Sequence, residues 1–375
     1  MNITLLTPPR VVFGRGVFSK LGQEAAGLGR VALVVTGRSA ARASGALDAG
    51  LRSLAAAGVQ AHVFDAVEHD PSLATVDNGL ALARETRSDV VIGLGGGSAL
   101  DAAKAIAALA PAPCGVAPFF SGGREIAAPG LPFVAIPTTA GTGAEMTRNS
   151  VLTDTATHEK KSLRSPHMVA RVALVDPDLT LACPPELTAH SGMDALTQAV
   201  ECFISKAATP VSDALALPAA GILFKNLAAA VRNGQDAEVR EAVALGSMMS
   251  GLASANAGLG AVHGLAHPIG AQLGLAHGLV CACLLAPVVE FNAPACPRKM
   301  AALANEFGLA SASGVPAALR ALATETGVPA SLAPLGLNES RFPAIIAQCR
   351  SGSMAANPRP VSDEEAAALL RQVSA

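Results

Sequence analysis

Four continuous apolar runs in the first half of the chain constrain its fold more than any other feature. They are Val31 to Thr36, Val59 to Phe64, Asp89 to Leu94 and Pro132 to Ile136. Three alanine-rich stretches with helical spacing lie between or beside them: Gly45 to Ala57, Leu73 to Thr86 and Ser98 to Leu109. The runs do not alternate apolar with polar residues, so both faces of each strand must be covered. That is the signature of a parallel sheet flanked by helices. After about Asp178 the strand signal disappears. Helical segments follow instead, punctuated by Pro210, Gly234, Gly258-Leu259-Gly260, Pro297 and Gly327-Val328-Pro329. The expected organisation is an α/β domain of nucleotide-binding type over residues 1–180 and an all-helical domain over 181–375. A cleft between two such domains is the default place for a site.

Composition narrows the function classes. Of 375 residues 51% are hydrophobic and 15% charged, and Lys plus Arg number 27 against 29 Asp plus Glu. A chain this apolar and this nearly neutral is expected to fold without disorder and to bind neither nucleic acid nor a membrane surface. There is no Trp or Tyr, so aromatic stacking would fall to eleven Phe, with Phe119, Phe120 and Phe203 candidates for a substrate pocket. The seven cysteines include no CxxC pair and sit mostly among apolar neighbours, which predicts reduced thiols in a cytoplasmic protein. The N-terminus lacks a basic stretch followed by a long apolar one, so no signal peptide is expected. The longest apolar run, around Leu279 to Val289, reads as broken by Pro287 and too short to span a bilayer.

Two strands run out into loops suited to an anion. The third apolar run ends in Gly95-Gly96-Gly97-Ser98, and a helix follows with Asp101 and Lys104. Glycines let backbone N–H groups approach a phosphate closely, and the helix N-terminus adds partial positive charge. Ser98 and Asp101 have the spacing of a capping box, so a capped turn without ligand would use the same residues. The fourth run leads into Thr138-Thr139-Ala140-Gly141-Thr142-Gly143, with Thr147 shortly after. Four threonines beside a second glycine loop offer hydroxyls to phosphate or adenine.

The second half carries a different chemistry. Asp194 and Gln198 are four apart, hence on one helix face, and so are His263 and His267. His277 follows after a glycine-containing turn. Three histidines within fifteen residues, in a chain with only eight, point to a metal or catalytic cluster. Spacing alone would allow both His263 and His267 to bind metal.

Taken together, these motifs resemble the iron-containing (group III) alcohol dehydrogenase family. The resemblance rests on Gly95-Gly96-Gly97-Ser98 with Asp101 and Lys104, on Pro137-Thr138-Thr139-Ala140-Gly141-Thr142-Gly143, and on Val175-Asp176-Pro177. Gly192-Met193-Asp194-Ala195-Leu196, His263-Gly264-Leu265-Ala266-His267-Pro268 and Asn357-Pro358-Arg359-Pro360 extend it over nearly the whole chain. It implies a Rossmann-like parallel-sheet domain and a helical domain in the dehydroquinate synthase-like arrangement. It also implies a homodimer, and reversible hydride transfer between a nicotinamide cofactor and a small alcohol or carbonyl compound. Lys160 and Leu179 are implied as further cofactor contacts. A divalent ion, Fe²⁺ or Zn²⁺, is assigned to Asp194, His263 and His277, with His267 beside the nicotinamide and substrate, where an imidazole would relay a proton or position the nicotinamide.

Two positions depart from the family pattern. Gln198 stands where the family has histidine. Its amide oxygen can still join the metal ligands, or else hydrogen-bond a bound water, but it is a weaker, harder donor than imidazole, so weaker or altered metal binding is expected. The other outcome is metal-independent reduction of an oxo acid, as in the related maleylacetate reductases. Gly37 stands where many members carry an aspartate that binds ribose hydroxyls and repels a 2′-phosphate. With that carboxylate gone and Arg38 next to it, NADP(H) is expected over NAD(H), although a plain turn with a solvated cation would read the same. A lyase using NAD as internal redox agent and a non-catalytic dinucleotide sensor are the remaining alternatives.

Overall fold

In the computed structural model, which describes residues 3–157, 159–350 and 352–375, the chain divides into two compact units. Residues 6–139 and 143–182 build an α/β unit, and residues 3–5, 140–142 and 183–375 a helical one. The division therefore differs from a single cut at 180/181. The three residues 140–142 leave the α/β unit because Gly141 packs on helical-unit side chains. Its carbonyl accepts hydrogen bonds from Gln198 Nε2 and Ser247 Oγ, both at 3.3 Å.

The α/β unit contains β1 (Arg10–Phe13), β2 (Val31–Gly37), β3 (Gln60–Val67), β4 (Val90–Gly95), β5 (Phe133–Pro137), β6 (Asn149–Asp154), β7 (Glu159–Arg164) and β8 (Val172–Val175). Six of them form one parallel sheet in the order β1-β8-β5-β4-β2-β3. The four runs read from the sequence are β2 to β5. All residues of β4 and β5 are buried. The two strands that sequence reasoning passed over, β1 and β8, have four residues each, too short for a periodic signal. The antiparallel hairpin β6–β7 was missed as well, since Glu159-Lys160-Lys161-Ser162 reads as polar loop.

Helices α1 (Leu21–Ala26), α2 (Ala40–Ala43), α3 (Ala46–Ala56), α4 (Leu73–Glu85), α5 (Gly97–Leu109) and α6 (Ala117–Phe120) complete the unit. One face of the sheet buries Leu33, Val35, Val91 and Phe133 against Val76, Leu80, Leu100 and Ile106. The other buries Val34, Ile92 and Val134 against Leu21, Leu47 and Leu54. Each such side chain removed from water contributes about 1.5–3 kcal/mol, which is why continuous apolar strands specify this two-sided layering.

The helical unit runs through α7 (Pro185–Ile204), α8 (Pro210–Arg232), α9 (Ala237–Ala257), α10 (Ala261–Leu273) and α11 (His277–Asn292). It continues through α12 (Pro297–Glu306), α13 (Val315–Glu325), α14 (Phe342–Gln348), α15 (Gly352–Ala355) and α16 (Asp363–Val373). Pro210 and Pro297 occupy first helical positions, where the missing N–H is no loss. Pro287 does not interrupt its apolar run, contrary to the sequence reading: it lies inside α11. Burial of Leu284, Leu285, Val288 and Val289 around it outweighs one lost ladder bond. α8, and α11 continued to Ala295, are thereby long and apolar enough to cross a membrane by length and composition. Both spend their apolar faces in the core: α8 through Ala216, Ala220, Leu223 and Leu227, α11 through Leu279, Leu285 and Val289.

Candidate metal centre and anion loop

Three helices of the helical unit converge on one cluster. α7 presents Asp194, Gln198 and Glu201 at positions i, i+4 and i+7, one face of a helix. α10 presents His263 and His267, and α11 begins at His277 with Cys281 one turn on. Gly278 makes the approach of α11 to α7 possible. A Cβ at this position would sit 2.1 Å from the carbonyl oxygen of His190, so only glycine lets the first turn of α11 lie on α7. Asp194 Oδ1 then stands 3.3 Å from His263 Nε2 and 3.8 Å from His277 Nε2. The His267 and His277 rings stack with centroids 4.9 Å apart.

The second ring of contacts fixes these donors. Glu201 is buried, and its Oε2 lies 2.6 Å from His263 Nδ1 while its Oε1 accepts from Val262 N at 2.6 Å. One carboxylate thus sits at the N-terminus of α10, where the helix dipole favours negative charge, and also orients the imidazole. The neighbouring N–H, Ala261 N, donates to Asn357 Oδ1, and Asn357 exchanges amide hydrogen bonds with Asn292. The closing Asn357-Pro358-Arg359-Pro360 motif therefore serves to cap α10. Desolvation opposes charge on His263, but the adjacent carboxylates of Asp194 and Glu201 outweigh it and raise its pKa to about 9. Burial likewise pushes the Asp194 carboxyl up, and the imidazoles of His263 and His277 more than reverse that shift.

Two acceptors of the cluster lack donors. Asp194 Oδ1 and Gln198 Oε1 are buried with no hydrogen-bond partner. A buried acceptor left unsatisfied costs about 1–3 kcal/mol, more when charged, unless a cation meets it. Asp194, His263 and His277 offer the mixed oxygen and nitrogen donors a divalent ion uses. The residues present fit such an ion. Sequence reasoning overlooked Glu201 and Cys281, although each continues a helical face already noted: Glu201 is i+7 from Asp194 and Cys281 i+4 from His277.

In the α/β unit the glycine loop joins β4 to α5. A Cβ on Gly95 would lie 2.7 Å from that of Ala99. The cap expected of Ser98 and Asp101 is not formed: α5 starts at Gly97 with Gly96 as an N-cap that carries no side-chain bond. Ser98 Oγ instead accepts from Asp70 N at 3.3 Å, and Asp101 Oδ2 accepts from Val151 N at 3.0 Å. Asp70 has a left-handed backbone, φ 55°, and pairs with Lys160 Nζ at 2.7 Å. The helix N-terminus, Ser98 and Lys160 are thus brought to one place through Asp70. Thr138 N donates to Gly95 O, and Thr139 lies against Gly96.

The other expected contacts lie at several places in the fold. Thr147 is buried and spends its hydroxyl within the fold, accepting from Lys104 Nζ at 3.1 Å and donating to Ala144 O at 3.3 Å. Lys104 is no surface charge: it is 1% exposed and also donates to Ala144 O and Asn149 O. Burial pushes its pKa down to about 8, and burial pushes its neighbours Asp101 and Glu145 up to about 6 and 7. Thr142 is exposed and groups with the helical unit, and Leu179 is half-buried in a 3₁₀ turn beside the buried Asp176. Gly37 ends β2 and Arg38 beyond it is exposed. Phe119, Phe120 and Phe203 belong to the hydrophobic cores.

Comparison with known proteins agrees with this arrangement. The profile described as "Iron-containing alcohol dehydrogenase" matches residues 8–177, and that described as "Fe-containing alcohol dehydrogenase family, C-terminal" matches 188–374. The 1,3-propanediol dehydrogenase of Klebsiella pneumoniae is 38% identical over 98% of this chain and 97% of its own length. The NAD-dependent methanol dehydrogenase of Bacillus methanolicus is 36% identical over 84% of both. A crystal structure of 1,3-propanediol oxidoreductase superposes with a TM-score of 0.95 at 37% identity, covering all of both chains. A parallel-sheet unit with a glycine loop and a helical unit carrying an aspartate–histidine cluster, in a chain with these relatives, define a nicotinamide-dependent oxidoreductase that works with a metal. The chain belongs to the iron-containing alcohol dehydrogenase family, and it is an alcohol dehydrogenase or aldehyde reductase.

Proposed function

We propose that this enzyme interconverts a small primary alcohol or diol and its aldehyde, prefers NADP(H), and holds a divalent ion, Fe²⁺ or Zn²⁺, on Asp194, His263 and His277. The observation that carries the metal reading is the buried Asp194 Oδ1, which makes no well-aligned hydrogen bond and stands 3.3 and 3.8 Å from two imidazole nitrogens. The choice of substrate class rests on the relatives that act on 1,3-propanediol and methanol. NADP(H) preference rests on Gly37 and Arg38 after β2: position 37 carries no carboxylate to repel a 2′-phosphate, and the exposed Arg38 guanidinium, whose Nε donates to Ala66 O at 3.5 Å, supplies a cation for it. We further propose a cytoplasmic homodimer.

In this reading the N-terminus of α5, with Ser98, Thr138, Thr139 and Lys160, binds the dinucleotide phosphates. When bound, the ion supplies electrophilic charge for the substrate oxygen and the nicotinamide supplies or takes the hydride. Asp194 and His263 hold their donor atoms in place, His263 through its bond to Glu201. His267, half-buried against His277, carries the proton that leaves or reaches the substrate hydroxyl, because an imidazole exchanges protons near neutral pH.

The test is a chelated enzyme assayed on short alcohols and aldehydes, with Fe²⁺ or Zn²⁺ added back and kcat/KM compared for NADPH and NADH. Recovery only with metal, and a higher value with NADPH, are the expected results. Gln198 favours a second reading, metal-independent reduction of an oxo acid; full activity without bound metal would establish it.

A further inference from the structure

We propose that Cys281 is a fourth protein ligand of the divalent cation, its thiolate completing a set of Asp194, His263 and His277 in which Gln198 takes no part. The inference rests on the reading that this centre binds a divalent cation, and concerns which side chains hold it.

Geometry leads to the sulfur. One donor atom from each of Asp194, His263, His277 and Cys281 lies within 4.8 Å of all the others. Three edges of that set are 3.3 Å (Asp194 Oδ1 to His263 Nε2), 3.8 Å (Asp194 Oδ1 to His277 Nε2) and 3.5 Å (Cys281 Sγ to His277 Nε2). A tetrahedral ion with bonds of about 2.0–2.3 Å requires donor separations of roughly 3.3–3.8 Å. These three separations match that spacing, and the remaining three are no longer than 4.8 Å.

Four other cysteines provide the contrast. Cys202, Cys283, Cys296 and Cys349 each direct their sulfur to a backbone carbonyl, those of Gly258, Pro329, Asn292 and Ile346. That is how an inert buried thiol is accommodated. The Cys281 sulfur faces the Nε2 of a ligand histidine instead. His277 and Cys281 stand one turn apart on α11, as Asp194 and Gln198 do on α7, so each helix offers a pair of side chains to the same centre. Gln198 is the poorer candidate: its Nε2 is tied to Gly141 O, and its amide oxygen is a neutral, hard donor. Thiolate is a soft ligand that zinc accepts readily, so the set favours Zn²⁺. Binding releases one proton from the Cys281 thiol to solvent as the sulfur–metal bond forms. Four protein donors leave the substrate oxygen a fifth position, an expansion that zinc sites tolerate.

The test loads metal-free enzyme with Co²⁺ and records its absorption spectrum. The expected result is a near-ultraviolet sulfur-to-cobalt charge-transfer band beside the visible ligand-field bands. It should vanish in Cys281→Ser and persist in Gln198→Ala. X-ray absorption of the wild-type zinc form should show one sulfur neighbour at about 2.3 Å among nitrogen and oxygen neighbours at about 2.0–2.2 Å, a readout that needs no variant to fold. Ligand-field bands without the charge-transfer band, and no sulfur shell, would overturn the Cys281 assignment while leaving the metal site standing. Failure to bind Co²⁺ or Zn²⁺ at all would overturn the metal reading and this inference with it.

Discussion

Replacing Glu201 by glutamine isolates a single carboxylate that touches neither substrate nor cofactor, yet orients a proposed metal ligand. Size and shape are preserved, so the loss is one of charge and of acceptor count. Both oxygens of Glu201 are in use at 2.6 Å, one against His263 Nδ1 and the other against Val262 N. A glutamine has one oxygen and one NH₂. Whichever way the amide turns, either the imidazole N–H or the α10 N–H meets a donor. A buried donor left unpaired costs about 1–3 kcal/mol. If the amide settles on Val262, the His263 ring loses its anchor and the penalty falls on the metal, where loss of such a partner costs about 10–100-fold in affinity, or about 1.4–2.7 kcal/mol. If it settles on His263, the penalty falls on the N-terminus of α10 and lowers stability instead. The assay pairs metal affinity by chelator competition with urea unfolding of the metal-free protein. Together the two losses should reach at least ~1 kcal/mol. A variant with both metal affinity and unfolding midpoint unchanged would refute the positioning role.

Further outcomes follow from the same contacts. Below about pH 6.5, the usual histidine value, the attraction of His263⁺ to the Asp194 and Glu201 carboxylates contributes its full stability to the metal-free protein, and this is lost as pH rises toward about 9. The metal-free form should therefore lose stability over that interval by urea titration, while metal affinity rises because the imidazole proton must leave. Gly37→Asp should fit sterically, since its Cβ would lie an ordinary 3.7 Å from Val67 O. It should shift the NADPH-to-NADH ratio of kcat/KM toward NADH by about tenfold or more, roughly 1.4 kcal/mol, and an unaltered ratio would dismiss Gly37 as a selectivity determinant. Gly278→Ala drives a methyl to 2.1 Å from His190 O. Displacement of α11 should lower stability by about 1–3 kcal/mol and weaken metal binding, both measurable by calorimetry. Lys104→Met removes the cation that Ala144 O, Thr147 and Asn149 O share, and should destabilise by about 3–5 kcal/mol in urea titration; a loss under ~1 kcal/mol would show that these acceptors are satisfied otherwise.

The central sheet was legible from Val31, Val90 and Phe133 onward because a strand buried on both faces must be continuously apolar. The helical second half was legible because strand-forming runs stop and Pro210 and Pro297 mark helix starts. The two four-residue strands at Arg10 and Val172 carry too few residues for a pattern, and only the pairing of β1 with β8 and of β8 with β5 reveals them. Spacing placed Asp194 with Gln198 and His263 with His267, since a helix converts i and i+4 into neighbours. It left the ligand choice between the two histidines open, and it could not say that His277 and Cys281 would meet Asp194, because that depends on α11 resting on α7 at Gly278. The capping box that the spacing of Ser98 and Asp101 allowed is not formed, for these residues find partners in Asp70 and Val151, which are distant in sequence. Local periodicity and residue chemistry thus determined the elements and the candidate donors. Which donors share one centre, which hydroxyls are spent inside and which lysine is buried were decided by the packing of helix on helix and of loop on strand. Such contacts join residues tens of positions apart and leave no periodic trace along the chain.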